Sequence, residues 1–374
     1  MSTASRIKRI KPDYDVVVLE SSNMVSHAPC GIPYFLEGLF NNESLFMHYT
    51  PDYFINVRGI KVRINEKAIE VGNGFVRTNT GNHIEWDYLV LATGSIPKIP
   101  NIPINGDKVF TIHHPSTAVE VKKMLDSVNV IGIVGSGYIG LEVAEAMRVK
   151  GKEVIMISRS SYPLSRSLDG DLGALIINEL IKSGVKVHLN ERLIEVGKQG
   201  DSQVIITDSG RYTVDAVILA TGVVPNVELA KMLNLKIGET GAVWVNEYMT
   251  TSNEYIYAAG DVAETTNIVT GKPYWHPFGT TANKMGYIAG NNIAGLRLRF
   301  PGVAGTSMTR FMNLYVASTG LTEEGAVKHG LRTVSAVIKA RTRARYYPGN
   351  GEIIIKLIAE KGSGRIIGGQ LIGD

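Results

Sequence analysis

One cysteine, Cys30, stands in 374 residues. Its solitude excludes an internal disulfide framework and every metal site built from several thiolates, and leaves it as either an inert buried thiol or a nucleophile. No run reaches the ~18 apolar residues that a membrane helix needs. Arg6, Lys8, Arg9 and Lys11 break up the start of the chain, so it does not read as a signal peptide, and the cytoplasm is the expected location. Charge of one sign is also scarce. Lys and Arg number 39 against 35 Asp and Glu, a net +4 without like-charge blocks, which suits an anionic small ligand and not nucleic acid. His27 neighbours Cys30 and either tunes it or plays a structural part. His113, His114 and His276 lack metal-like spacing, and no metal is expected.

What is present is a chain that is 44% hydrophobic and 20% charged. Such a composition buries a sizeable core, and the length corresponds to about two and a half ordinary domains. Glycine is plentiful at 40 residues, as in folds that turn tightly and bring backbone close to a ligand.

Residues 129 to 134 read as a buried strand. Gly135, Ser136, Gly137, Tyr138, Ile139 and Gly140 then form G-x-G-x-x-G ahead of the helical pattern from Leu141, and Glu153 to Ile157 reads as the next strand. In a unit of about 30 residues this order is a dinucleotide-binding signature. Gly135 makes the tight turn, Gly137 admits the pyrophosphate, and Gly140 lets the helix pack closely. The phosphates are expected at the helix N-terminus, where amides and the helix dipole favour anions. At the end of the second strand an NAD site places a carboxylate on the ribose, whereas this chain has Ser158 and Arg159, followed by Ser160, Ser161 and Arg166. A guanidinium binds a 2′-phosphate that a carboxylate would repel, so NADPH is expected, with NADH possible. The bland alternative is that Arg159 is a solvated loop residue.

The chain opens with a helical pattern over residues 2 to 10 and a strand from Asp15 ending at Glu20, where an adenosine ribose would be gripped. This looks like a second dinucleotide unit whose first strand and glycine loop would lie before Met1. Asp87–Gly94 and Asp215–Gly222 are both apolar runs ending in Ala-Thr-Gly (Ala92, Thr93 and Gly94 in the first, Gly222 closing the second), which points to an internal duplication. Tyr255 to Asp261 is one more strand, putting Gly260 and Asp261 at its end, and after about residue 299 short alternating strands suggest a separate α+β unit.

Together, Glu20, the paired Ala-Thr-Gly segments, the glycine loop at 135 to 140 and the run from Tyr257 to Ala263 resemble the FAD- and NAD(P)-dependent pyridine nucleotide-disulfide oxidoreductases along essentially the whole chain. The resemblance implies an α/β fold. Two Rossmann-like domains bind FAD (1–114 and 245–298, discontinuous) and NAD(P)H (115–244), and an α+β dimerisation domain (299–374) follows, with the record incomplete at both ends. Ser26 to Tyr34 resembles the single-cysteine branch, so Cys30 would cycle through a mixed disulfide, a persulfide or a sulfenic acid. Tyr346-Tyr347-Pro348-Gly349 resembles the coenzyme A-disulfide reductase signature, implying a homodimer in which Tyr346 approaches the partner subunit's Cys30 as a proton donor.

The activity so implied is reduction of coenzyme A disulfide by NAD(P)H through FAD and a Cys30–coenzyme A mixed disulfide. The alternatives are an NAD(P)H oxidase or peroxidase, an NAD(P)H sulfur or polysulfide reductase using the same cysteine, and a non-catalytic nucleotide-binding homologue. Ser26 and Ala282 join the implied cofactor contacts, and Arg6, Arg9, Lys284, Arg341 and Arg343 the contacts to the coenzyme A polyanion. Lys339, Arg341, Arg343 and Arg345 alternate along a stretch expected to be a strand, which would put the four cations on one face; a merely solvated basic edge is the competing reading. Cys30 lies just before a helix start with Pro33 in its first turn, where free amides are expected to stabilise a thiolate.

Overall fold

The computed structural model describes residues 1–374. It resolves into two compact units, each discontinuous in sequence.

The first unit comprises Met1–Pro29, Asn42–Ile96 and Val223–Val303. Its helix Ser2–Ile10 buries Ala4 and Ile7, one turn apart, and lies against the helix Gly279–Ile293. Two glycines of the longer helix make that approach possible. A Cβ on Gly290 would stand 2.7 Å from the Thr3 carbonyl oxygen, and one on Gly286 3.1 Å from Ser2. Arg6 fastens the pair through Nε and Nη2 to Oδ1 of the fully buried Asn291, at 2.9 and 2.8 Å. Two parallel strand pairs form the rest of the layer: Val17–Leu19 with Lys61–Arg63, and Leu89–Leu91 with Ile256–Ala258. Each pair has only two strands. An antiparallel meander, Ala68–Gly72, Phe75–Thr78 and His83–Glu85, completes the unit, whose core gathers Ile7, Leu91, Val243, Met249, Ile256 and Met285.

Cys30–Asn41, Pro97–Gly222 and Ala304–Asp374 make the second unit. Five parallel strands run in the order Val185–His188, Glu153–Ile157, Val130–Val134, Ala216–Leu219, Val109–Phe110. The central strands are continuous apolar runs, as a sheet covered on both faces requires. A meander of Leu193–Gln199, Ser202–Thr207 and Arg211–Val214 packs Val196, Ile205 and Val214 onto it. The chain closes in a five-stranded antiparallel sheet ordered Ser307–Phe311, Leu314–Gly320, Ile366–Gly373, Glu352–Glu360, Thr333–Arg341. Lys356 and Gln370 share one register position of that sheet and are buried on one face, while Met308, Ile338 and Leu357 stand exposed on the other.

One expected strand is shorter than the sequence suggests. The edge strand Thr333–Arg341, paired with Glu352–Glu360, ends at Arg341, and residues 342–349 turn. Alternation therefore holds for Lys339 and Arg341 only, and the four-cation face does not form. Arg343 instead donates to the Pro348 carbonyl at 3.0 Å and lies 5.3 Å over the Tyr347 ring, so its charge closes the turn that carries Tyr346.

Candidate active site

The glycine loop of the second unit performs three separate physical tasks. Gly135 sits at φ +116°, and a Cβ there would stand 2.2 Å from the Ala220 carbonyl oxygen. At Gly140 a Cβ would meet the Gly135 carbonyl oxygen at 2.1 Å, so only glycine lets the helix Tyr138–Val149 start this close to the strand. Nothing lies within 4 Å of a Cβ on the exposed Gly137, and no side chain caps the helix there. An open approach to an uncapped helix N-terminus is what a pyrophosphate needs, so the residues present fit a dinucleotide. Tyr138 and Ile139 form the first turn, and the Tyr138 hydroxyl bonds to Ser167 (2.9 Å) and to Ser307.

Beside the loop, the strand Glu153–Ile157 hands on to Ser158, which is buried, and Arg159, which is exposed. The nearby Glu191 carboxylate is bonded by two neighbouring hydroxyls. Both its oxygens accept from the Tyr212 hydroxyl at 2.8 Å, and Oε2 also accepts from Thr207 at 2.7 Å. Burial, with Glu191 adding to it, pushes the Tyr212 phenol up to about 12, so it stays a donor.

In the first unit the expected cofactor residues gather from distant stretches of chain. Glu20 ends the Val17–Leu19 strand, with Oε1 accepting from the Ser22 amide and hydroxyl at 2.8 Å each. Ser26 adopts φ +52°, rare for a residue with a side chain. Ala92, Thr93 and Gly94 follow the Leu89–Leu91 strand, and Asn226 fixes them: its carbonyl accepts from Thr93 Oγ1 at 2.7 Å and its amide donates to the Gly94 carbonyl at 2.9 Å. Ser95 Oγ donates to Asp261 Oδ2 at 2.8 Å, and Trp275 Nε1 to the Asp261 carbonyl at 2.7 Å. Gly260, at φ +85°, faces Ala282, with 3.4 Å between its would-be Cβ and that of Ala282. Next to them no side chain caps the start of Gly279–Ile293, which suits the electron-rich edge of a flavin. His276 packs there, with Nδ1 2.8 Å from Thr281 Oγ1 and its ring 4.3 Å from that of Phe278. Burial pushes its imidazole down to about 4, so it is neutral near pH 7. Asn226 and Ser95 had no motif to announce them, since only the fold makes them neighbours of Thr93 and Asp261.

Cys30 is exposed and sits in the single turn Pro29–Gly31 ahead of the helix Ile32–Glu37, which carries Pro33 in its first turn. That short helix is held at its other end. Gly38 terminates it at φ +99°, and Lys122 Nζ donates to the carbonyls of Phe35 (2.8 Å) and Leu36 (3.3 Å). Tyr34, one turn beyond Cys30, has its phenol raised by burial and then by the charge of Glu142, with Arg310 opposing. Glu142 and Glu145 are both raised by burial; Thr309 donates to Glu142 at 2.7 Å, and Arg310 lies 3.5 Å from Glu145. The sequence holds the signal for this pair: two carboxylates three apart within a largely apolar helix.

The cations expected to meet substrate belong to both units. Arg6 is committed to Asn291 and stacks on Tyr287 at 4.7 Å, and Arg9 and Lys284 are exposed on the two paired helices of the first unit. Arg341 ends its strand and is exposed, Arg343 is engaged in its turn, and Tyr346 is 89% exposed. No helix is long and apolar enough to cross a membrane.

Comparison with known proteins agrees with this arrangement. The profile of the family described as "Pyridine nucleotide-disulphide oxidoreductase" matches residues 1–281, and that of its dimerisation domain residues 306–374. A Pyrococcus horikoshii protein named "NAD(P)H coenzyme A polysulfide/persulfide reductase" is 47% identical over 383 residues, covering 100% of this chain and 85% of its own length. A Staphylococcus haemolyticus "Coenzyme A disulfide reductase" is 26% identical, with 99% and 84% covered. Among solved structures, an NAD-dependent persulfide reductase from A. fulgidus superposes with a TM-score of 0.96 at 37% identity, over 99% of this chain and 71% of that one. An engineered water-forming NADPH oxidase, bound to NADPH, superposes with a TM-score of 0.94 at 26% identity, over 100% and 84%. With the dinucleotide cradle, the lone exposed cysteine and both profile matches along it, this chain belongs to the pyridine nucleotide-disulphide oxidoreductases, enzymes that use FAD and NAD(P)H.

Proposed function

We propose that this chain is an NAD(P)H-dependent sulfur reductase that acts on polysulfide or persulfide with coenzyme A, and that Cys30 is its redox centre. One observation carries the reading: the only cysteine is exposed on a chain 47% identical along its whole length to a relative named for that activity, against 26% for a coenzyme A disulfide reductase. The sulfur reductase alternative thereby takes precedence over coenzyme A disulfide as the acceptor. Bound FAD supplies a two-electron relay from NAD(P)H to sulfur, which nicotinamide performs poorly by itself. The Cys30 thiolate attacks a sulfur–sulfur bond, forming Cys30–S–S–R and releasing the other fragment as a thiolate. Two electrons and one proton then break the new bond, returning the Cys30 thiolate and RSH. The first unit holds FAD through Glu20, Ala92–Gly94, Gly260, Asp261 and the start of the Gly279–Ile293 helix, and the second holds NAD(P)H at the 135–140 loop. In a homodimer formed through the dimerisation domain, Tyr346, exposed on its own chain, is the residue to reach the partner subunit's Cys30. NADPH turnover should require polysulfide and rise on adding coenzyme A; turnover with oxygen alone, indifferent to sulfur, would refute the reading.

Arg159 selects the phosphorylated cofactor. In the engineered NADPH oxidase an aspartate, eighteen residues after a replaced glycine, becomes alanine, and the next two positions become arginine and serine. Here Ser158 stands eighteen residues after Gly140, and Arg159 and Ser160 follow. Arg159→Ala is expected to raise KM for NADPH by about tenfold, in keeping with the loss of one charge-assisted contact, and to leave KM for NADH within twofold. Initial rates with the two cofactors check this.

A further inference from the structure

The residue that replaces the customary carboxylate at the strand end is buried and bonded to the glycine loop. Ser158 is 5% exposed and Ser136, in the middle of the glycine loop, 6%, and their hydroxyls lie 2.8 Å apart. Ser158 Oγ also accepts from the Ser160 amide at 3.2 Å. Its own amide donates to the His188 carbonyl at 2.8 Å, and its carbonyl accepts from the Glu191 amide at 3.0 Å. Every polar atom of this serine is therefore spent on protein. The partners lie on three different segments: the glycine loop, the loop after the strand, and the turn after Val185–His188. Two more backbone bonds brace the same junction, from the Leu164 amide to the Ser136 carbonyl at 3.0 Å and from the Gly135 amide to the Ile157 carbonyl at 2.8 Å.

We infer that Ser158 is a positioning residue: its buried hydroxyl ties the pyrophosphate-binding glycine loop to the Arg159–Ser160 loop, so that the cradle for the diphosphate and the selector for the 2′-phosphate are set by one hydrogen-bonded knot. This inference rests on the second unit being the NAD(P)H site. The physical reason is preorganisation. A loop already held in its binding conformation pays less ordering entropy when the nucleotide arrives, and a serine pair supplies that restraint without a negative charge beside a phosphate. Selection is left to Arg159, which is exposed and so available to ligand.

The knot acts on both cofactors alike, because each carries the same pyrophosphate, and this separates it from a contact to the 2′-phosphate. Full-length Ser158→Ala should bind NADPH and NADH more weakly by the same factor, about five- to tenfold for the lost hydroxyl and a loosened loop, with kcat at saturating cofactor within twofold. Ser136→Ala, which removes only the bond between the two hydroxyls, should weaken both cofactors equally and by no more than Ser158→Ala, and the double variant should be no worse than Ser158→Ala alone. Ser158→Thr, which keeps the hydroxyl, should restore binding. Equilibrium titration of NADPH and NADH against each protein reads all of these. A loss confined to NADPH would overturn the inference by showing that the hydroxyl touches the extra phosphate, and so would unchanged binding of both cofactors or additive losses in the double variant. Failure of the wild-type protein to bind either cofactor would instead remove the nucleotide assignment of the second unit, and this inference with it.

Discussion

Cys30→Ser should lower sulfur-dependent NAD(P)H turnover by about 10³-fold or more, the scale on which a covalent nucleophile is missed, while NAD(P)H still reduces the bound flavin. The hydroxyl cannot form the sulfur–sulfur bond that the thiolate forms, and no other thiol exists in the chain to take over. Folding should be unaffected. Cys30 is exposed, and the Ile32–Glu37 helix behind it is anchored by buried Ile32, Phe35 and Leu36 and by Lys122 on its last carbonyls, none of which needs the sulfur. Two readouts separate the chemistry from its surroundings: bleaching of the flavin band by NAD(P)H, which should persist, and steady-state turnover with polysulfide, which should not. Wild-type turnover in the serine variant would remove Cys30 from the mechanism.

Much of the nucleotide machinery is legible in the sequence because it is local. Gly140 answers to the Gly135 carbonyl five residues back and Gly135 to the Ala220 carbonyl just beyond the adjacent strand, while Gly137 keeps an open approach, and the strand boundaries follow from runs of Val and Ile. The two Ala-Thr-Gly segments likewise locate Leu89–Leu91 and Ala216–Leu219. What the sequence misplaced depended on neighbours far along the chain. Strand periodicity continues in the side chains from Lys339 to Arg345, yet the backbone turns after Arg341. There Thr342 and Gly351 close the hairpin with paired bonds, the amide and hydroxyl of Thr342 reaching the Gly351 carbonyl and the Gly351 amide returning to the hydroxyl. Ser158 occupies the motif position at which an NAD site places its carboxylate. That it turns inward is decided by Ser136, 22 residues earlier. Local pattern thus names the positions at which ligands are held; pairing between segments decides which side chain there is free to hold them.

The same dependence on distant partners produces the largest expected loss of stability. Lys356 is 4% exposed in the middle of the Glu352–Glu360 strand, and its ammonium lies 2.7 Å from Glu323, 3.0 Å from Asp171 and 3.2 Å from Asp169. Burial opposes the charge, but hydrogen bonds to Glu323, Asp171 and Asp169 override it and hold the ammonium protonated above the usual lysine range. Asp169 is itself buried and accepts from Gln370 at 2.7 Å and from the Glu323 amide at 3.0 Å, so one knot joins the antiparallel sheet to the start of the Gly170–Lys182 helix and to the helix Glu323–Lys328. Lys356→Met keeps most of the volume and removes the only cation touching three carboxylates. The expected cost is about 3 kcal/mol, at the low end for breaking a buried pair because Asp171 and Glu323 still reach water. The loss should depend on pH with a definite sign. Glu323 is held below the ordinary carboxylate range, first by its hydrogen bond from Lys356, so its contribution is present above about pH 4.3 and fades as acid protonates it. The raised lysine acts at the opposite end, its contribution fading only in strong alkali. Between these limits the wild type should exceed the variant by the full difference, and below about pH 4.3 the gap should narrow progressively as acid protonates Glu323. Urea unfolding of both proteins from pH 7 down to pH 3.5 measures it; a gap that is small at neutrality, or that widens in acid, would show that the lysine does not hold the three carboxylates together.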